Sequence, residues 1–158
     1  MFEWHFTIRG PVGTDFEGGI YHGRILLPPE YPLKPPNIVF LNHNGRFVMG
    51  TKICLSISAY HEETWQPAWS IRTMLEALIS FLPTEGGGAI GAIDWSKEER
   101  QRCAEASHTF YCKRCDCSVK DLLTEPTAEE LAAERGGGAA PPEMKDAISQ
   151  LSIRTEGG

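Results

Sequence analysis

Apolar and polar residues alternate along "FEWHFTIRG", where Phe2, Trp4, Phe6 and Ile8 interleave with Glu3, His5, Thr7 and Arg9. That is the period of a strand buried on one face. "GGIYHGRILLP" predicts a second strand and "PNIVFLN" a third. The connections "GPVGTDFEGG" and "PPEYPLKPP" are dense in turn and breaker residues, so the strands form an antiparallel meander. From Ile71 the period changes. Ile71, Met74, Leu75, Leu78, Phe81 and Leu82 follow the i, i+3, i+4, i+7 stripe of a helix that Pro83 stops. Its apolar face needs a partner, and the sheet is the available surface. A second helix is predicted from "SKEE", where Ser96 and Glu99 have capping-box spacing, to about Tyr111.

After Leu123 the pattern fades. "TEPTAEELAAERGGGAAPPEMKDAISQLSIRTEGG" has few large apolar residues and a Gly-Pro-rich break from Gly136 to Pro142, compatible with short helices at most. The expected organisation is a core over residues 1–123 and a low-complexity, flexible tail over residues 124–158 with little core of its own. The closing Gly157-Gly158 pair reads as the end of that tail.

Composition narrows the function. With 158 residues, 41% hydrophobic and 23% charged, one soluble domain is the default. A net charge of −6 without a Lys/Arg-rich face argues against nucleic acid as the main partner and favours other proteins. No run approaches the roughly 18–20 apolar residues of a membrane helix, and no basic-then-apolar leader opens the chain, so no membrane span is expected and the chain as written reads as cytoplasmic. Five cysteines, four of them between Cys103 and Cys117, do not resemble a secreted disulfide framework and read as reduced thiols.

The fifth, Cys54, stands apart. A cysteine is usually a compact buried hydrophobe. This one follows the turn-forming "NHNGRF" and precedes "LSIS" and the polar loop "AYHEETWQPAW", a junction where a thiol can be exposed. A thiolate attacks carbonyl carbon without a metal, and a nearby side-chain amide can hydrogen-bond the oxyanion that forms. Asn44, ten residues upstream, is the candidate for that amide; turn formation by Asn44-Gly45 is an equally good account of it.

"YPLKPP", an Asn about ten residues before "ICLSIS", "TWQPAWSI" and a following amphipathic helix resemble, in order and spacing, the ubiquitin-conjugating enzymes. "NGRF…KICLSIS…ETWQPAWSIRT" and "GAIG…EER" look like the J branch, tail-anchored enzymes that act in degradation of misfolded endoplasmic-reticulum proteins. The likeness covers Phe2 to about Leu123. The family's usual His-Pro-Asn triplet reads Asn42-His43-Asn44 here, and the J branch departs from the triplet in the same place.

The resemblance implies an α+β fold, an antiparallel β-meander packed against helices, and a transferase with ubiquitin, the ubiquitin-activating enzyme, ubiquitin ligases and protein substrates as partners. Cys54 would accept ubiquitin as a thioester and pass it to an amine, or to a hydroxyl. Asn44 would hold the loop or stabilise the oxyanion. Leu33, Pro67 and Ala68 match the family's ligase-docking positions, with inward packing and loop shaping as the plainer accounts. Glu85 lies near the position of an acceptor-orienting acid, although a surface glutamate explains it as well. Trp65 would be structural. No cofactor is implied, and ATP enters only through the activating enzyme. The alternative is a non-catalytic ubiquitin-pathway binding module with a degenerate conjugating fold.

Two readings remain. His61 is a poor partner for Cys54, because nothing nearby supplies a third, orienting group. In "HTFYCKRCDC", His108, Cys112, Cys115 and Cys117 contain one C-x-x-C, but Cys115-Asp116-Cys117 is cramped for a tetrahedral site and no second C-x-x-C exists. Free thiols at a helix end, and no metal, are expected. Family members also carry an amino-terminal helix and first strand before the segment resembling "FEWHFTIRG", and the J branch a carboxy-terminal anchor at the cytosolic face of the endoplasmic reticulum. The chain is therefore expected to be amino-terminally truncated, with three of the usual four strands.

Overall fold

The computed structural model describes residues 2–57, 67–68, 70–85, 92–135 and 151–155, with 54–57 and 151–155 described by their backbone alone. Three of its strands are those the alternation predicts: β1 (Phe2–Arg9), β2 (Ile20–Leu27) and β3 (Asn37–Phe40). β4 (Ile53–Ile57) follows. All pair antiparallel in a five-stranded sheet of order β1, β2, β3, β4, β7, the last formed by Leu151–Thr155. β4 and β7 are strands that the pattern does not predict, and β7 lies within the segment expected to be a tail. The register sets Thr7 opposite His22 and His5 opposite Arg24 between β1 and β2, and Cys54 between Asn37 of β3 and Arg154 of β7.

Each face of the sheet has its own chemistry. Phe6, Ile8, Tyr21, Ile25, Leu27, Ile38, Phe40 and Ile53 point into one core. Against them packs α1 (Ile71–Phe81), burying Met74, Ala77, Leu78 and Phe81, each large side chain contributing about 1.5–3 kcal/mol by burial. The helix starts where the sequence predicts: the Ser70 hydroxyl accepts from the Thr73 N–H at 3.2 Å. Glu3, His5, Thr7, His22 and Arg24 fall by period 2 on the opposite face.

That second face is covered by the chain after α1. α2 (Lys97–Ser107) is capped by Ser96, whose hydroxyl accepts from the Glu99 N–H at 3.2 Å, as the capping-box spacing implies. It ends earlier than the expected Tyr111. Its last residue, Ser107, accepts from the Ile20 N–H at 2.8 Å, tying the helix end to β2. The chain then turns into a short hairpin, β5 (Tyr111–Cys112) and β6 (Cys117–Ser118), followed by a 3-10 turn at Val119–Asp121. α3 (Ala128–Arg135) buries none of its residues. No helix among the described residues is long and apolar enough to cross a membrane.

Candidate active site

The segment before Cys54 is a built loop. Asn44 is fully buried, and its Oδ1 accepts from the N–H groups of Arg46 and Phe47, both at 2.8 Å. Gly45 takes a φ of 85°, a left-handed conformation that glycine adopts without strain. The turn reading of Asn44 is therefore real, but it uses only the carbonyl half of the amide. Its Nδ2 is buried and has no hydrogen-bond partner among the described residues, which leaves an unspent donor on the loop that leads to Cys54.

The neighbouring asparagine does a different job. Asn42 Oδ1 accepts from the His22 N–H at 3.0 Å and its Nδ2 donates to the Ile20 carbonyl at 2.9 Å, so both ends of this amide are committed to β2. His43 stacks on Trp95, with ring centroids 5.7 Å apart. Of the three residues Asn42-His43-Asn44, Asn44 alone combines full burial with a free amide donor.

Arg46 locks the loop from behind and is a residue the sequence reading missed. It is almost fully buried, with its guanidinium over the rings of Phe47 and Phe81 at 4.7 and 5.0 Å. Nε donates to the Thr84 carbonyl and Nη2 to the Glu85 carbonyl, at 2.7 and 3.2 Å. Arg100 reinforces the same turn, donating from Nε to the Gly45 carbonyl at 3.2 Å. Burial lowers the Arg46 pKa, yet a guanidinium stays protonated in a protein. An arginine directly after Asn44-Gly45 was all that the sequence offered, and its burial is set by the packing.

The other expected site residues are distributed. Leu33 is 72% exposed, and Pro67, Ala68 and Glu85 are exposed as well. Leu33 does not pack inward, so the plainer account of it fails. Glu85 is held by its backbone carbonyl, through Arg46. Cys54 lies in β4, while His61 and Trp65 lie outside the described residues.

The quartet His108, Cys112, Cys115 and Cys117, weighed above as a metal set and set aside, is not brought together. His108 instead hydrogen-bonds the Gly18 carbonyl through Nε2. The fold gathers His5, His22, Cys112 and Cys115, whose ligand atoms all lie within 4.8 Å of one another. Burial, with His5 beside it, pushes the His22 pKa down to about 4, and burial and the Cys112 neighbour push the Cys115 thiol up to about 11.

Comparison with known proteins agrees with the architecture. The family model described as ubiquitin-conjugating enzyme matches residues 1–106. The mouse protein named Ubiquitin-conjugating enzyme E2 J1 is 53% identical over 156 residues, covering 99% of this chain and 48% of that protein, and the human E2 J1 gives the same figures. Ubiquitin-conjugating enzyme E2 32 of Arabidopsis thaliana is 62% identical, covering 98% of this chain and 57% of its own. The chain thus spans about half the length of these relatives.

Proposed function

This chain belongs to the ubiquitin-conjugating enzyme family, and from that premise we propose that Cys54 carries ubiquitin as a thioester. The Cys54 thiolate attacks the thioester carbonyl that links ubiquitin to the activating enzyme and expels that enzyme's cysteine thiolate. An acceptor amine then attacks the new thioester, loses its proton and expels the Cys54 thiolate, leaving an amide. An acceptor hydroxyl would leave an ester by the same route.

What carries this reading is the match of the family model to residues 1–106, which include Cys54, together with the Asn44 amide, whose oxygen is fixed by two backbone N–H groups while its NH2 has no partner among the described residues. Uncovered when the thioester docks on the loop, a donor of that kind suits the oxyanion of the aminolysis step, where losing one donor typically costs about 10²–10³ in rate. Ubiquitin, the activating enzyme, ubiquitin ligases and protein substrates are the partners of this proposal. The exposure of Leu33, Pro67 and Ala68 supports ligase docking there. Work on misfolded endoplasmic-reticulum proteins, at the cytosolic face of that membrane, is the finer part and rests on likeness to the J branch.

The test is charging with activating enzyme, ATP and ubiquitin. The chain forms an adduct that thiol removes, Cys54→Ala abolishes it, and Cys54→Ser gives an oxygen ester that resists thiol and yields to base. An adduct that survives in Cys54→Ala shows that another nucleophile is used. A folded chain that never charges is the binding module instead.

A further inference from the structure

We infer that His5, His22, Cys112 and Cys115 form a structural zinc site that fastens the β5–β6 hairpin to strands β1 and β2. The site is independent of Cys54 and of the reading given to it.

Four of the six ligand–ligand edges run from 3.1 to 3.6 Å and the other two stay within 4.8 Å, close to a tetrahedral ligand set. With zinc–nitrogen bonds near 2.0–2.1 Å and zinc–sulfur bonds near 2.3 Å, the edges of such a tetrahedron are roughly 3.3–3.8 Å. His5 Nδ1 and His22 Nε2 are 3.1 Å apart. Cys112 Sγ and Cys115 Sγ lie 3.6 and 3.3 Å from His5 Nδ1, and Cys115 Sγ lies 3.6 Å from His22 Nε2. Hydrogen bonding alone accounts poorly for this convergence. His5 Nδ1 has one lone pair, yet an imidazole nitrogen and two thiols all approach it. A cation at the centre satisfies all four donors at once.

The surrounding groups are arranged as an outer shell. His5 Nε2 faces Glu3 Oε1 at 3.2 Å, and a carboxylate there keeps the proton on Nε2 and turns the Nδ1 lone pair inward. Glu3 is itself fixed by Arg24, whose Nε and Nη2 donate to its two oxygens at 2.8 and 3.0 Å. The outer nitrogen of His22, Nδ1, lies 2.8 Å from the Thr7 hydroxyl. On the hairpin, the Cys115 N–H donates to Cys112 Sγ at 3.5 Å, a contact that stabilises thiolate charge. Asp116 at φ 54° turns the chain directly after Cys115.

Two neutral imidazoles and two thiolates balance the charge of Zn2+, and the two thiol protons pass to solvent on binding. All four positions are filled by protein, which marks a structural rather than a catalytic site. Soft and borderline donors in a tetrahedral S2N2 set select zinc over magnesium or calcium. This reverses the expectation that the hairpin cysteines are only free thiols. Cys117 and His108 fall outside the set.

The test uses the full chain, purified reduced and stripped with chelator. Titration with Co2+ gives the intense visible bands of a tetrahedral complex and a thiolate-to-cobalt charge-transfer band, saturating at one ion per chain and displaced by Zn2+. Zinc shields Cys112 and Cys115, but not Cys117, from alkylation as mapped by mass spectrometry. Cys115→Ser, at an exposed position, weakens zinc binding by more than the roughly 10–100-fold of an outer-shell loss, and Glu3→Gln weakens it within that range. Cys117→Ser and His108→Gln bind as the parent does. A reduced parent chain that gives no charge-transfer band, or a Cys115→Ser variant that binds zinc undiminished, overturns the assignment.

Discussion

Arg46 reaches across the molecule to Thr84, donating from Nε to its carbonyl oxygen at 2.7 Å, so the loop before Cys54 and the segment after α1 are held by one guanidinium. The guanidinium also lies against the rings of Phe47 and Phe81, themselves stacked 6.1 Å apart. A lysine has one point charge and cannot reach two carbonyls while lying flat on the rings.

Arg46→Lys and Arg46→Met are therefore both expected to destabilise the fold, by about 2 kcal/mol or more, since each gives up charge-assisted hydrogen bonds from a buried guanidinium to the Thr84 and Glu85 carbonyls. Denaturant unfolding measures this. A change below about 0.5 kcal/mol in both variants, the range of ordinary surface substitutions, shows that the guanidinium is not what holds the loop.

The two halves of the Asn44 amide can be separated. Asn44→Asp keeps an acceptor for the Arg46 and Phe47 N–H groups but removes the free donor, whereas Asn44→Ala removes both. Both variants should slow discharge of the ubiquitin thioester to amine by about 10²-fold, and both should lower thermal stability, Asn44→Ala by losing the turn acceptor and Asn44→Asp by burying an unpaired carboxylate oxygen. Single-turnover discharge and a melting curve decide it. Discharge at the parent rate in Asn44→Asp removes the donor from the mechanism.

Gly23 sits in the middle of β2 between Phe6 of β1 and Phe40 of β3. A Cβ there would lie 2.5 Å from the Phe6 ring and 2.6 Å from the Val39 carbonyl oxygen. Overpacking of this kind costs about 1–3 kcal/mol. Gly23→Ala should lose that much in denaturant unfolding, and Phe6→Leu in the same chain should return part of it. Full stability in Gly23→Ala would mean that the Phe6 ring can move aside freely.

At the start of α3, the Glu130 carboxylate accepts from the Thr127 N–H at 2.8 Å, and the Thr127 hydroxyl accepts from the Glu130 N–H at 3.2 Å. The first of these bonds lowers the Glu130 pKa below its ordinary 4.5. A folded-state pKa below the unfolded one contributes stability above pH 4.5 and loses it as pH falls through the folded value. The Thr127 amide proton resonance should therefore titrate with a midpoint below 4.5, and Glu130→Gln should flatten the curve. A midpoint at or above 4.5 would remove the capping interaction.

What the sequence determined by itself was local. Alternation from Phe2 to Ile8 specified β1 and the side of the sheet its apolar residues take, because a period of two leaves no choice of side once one face is apolar, but only Phe6 and Ile8 are buried there, while Phe2 and Trp4 stay 74% and 54% exposed. The stripe from Ile71 to Leu82 specified α1, and Ser96 with Glu99 specified where α2 begins. The tertiary structure decided whatever depends on partners distant in the chain. β4 and β7 are short strands whose pairing joins Cys54 to Arg154, and no periodicity in either segment encodes the other. Alternation put His5 on the polar face of its strand, but only the antiparallel register of β1 and β2 brings it beside His22, and only the turn after α2 lays Cys112 and Cys115 over both. Asn44 was legible as a turn residue from Asn-Gly alone. That one half of its amide makes the turn while the other stays buried and unspent is set by the burial of the loop, a property of the packed molecule rather than of any short stretch of it.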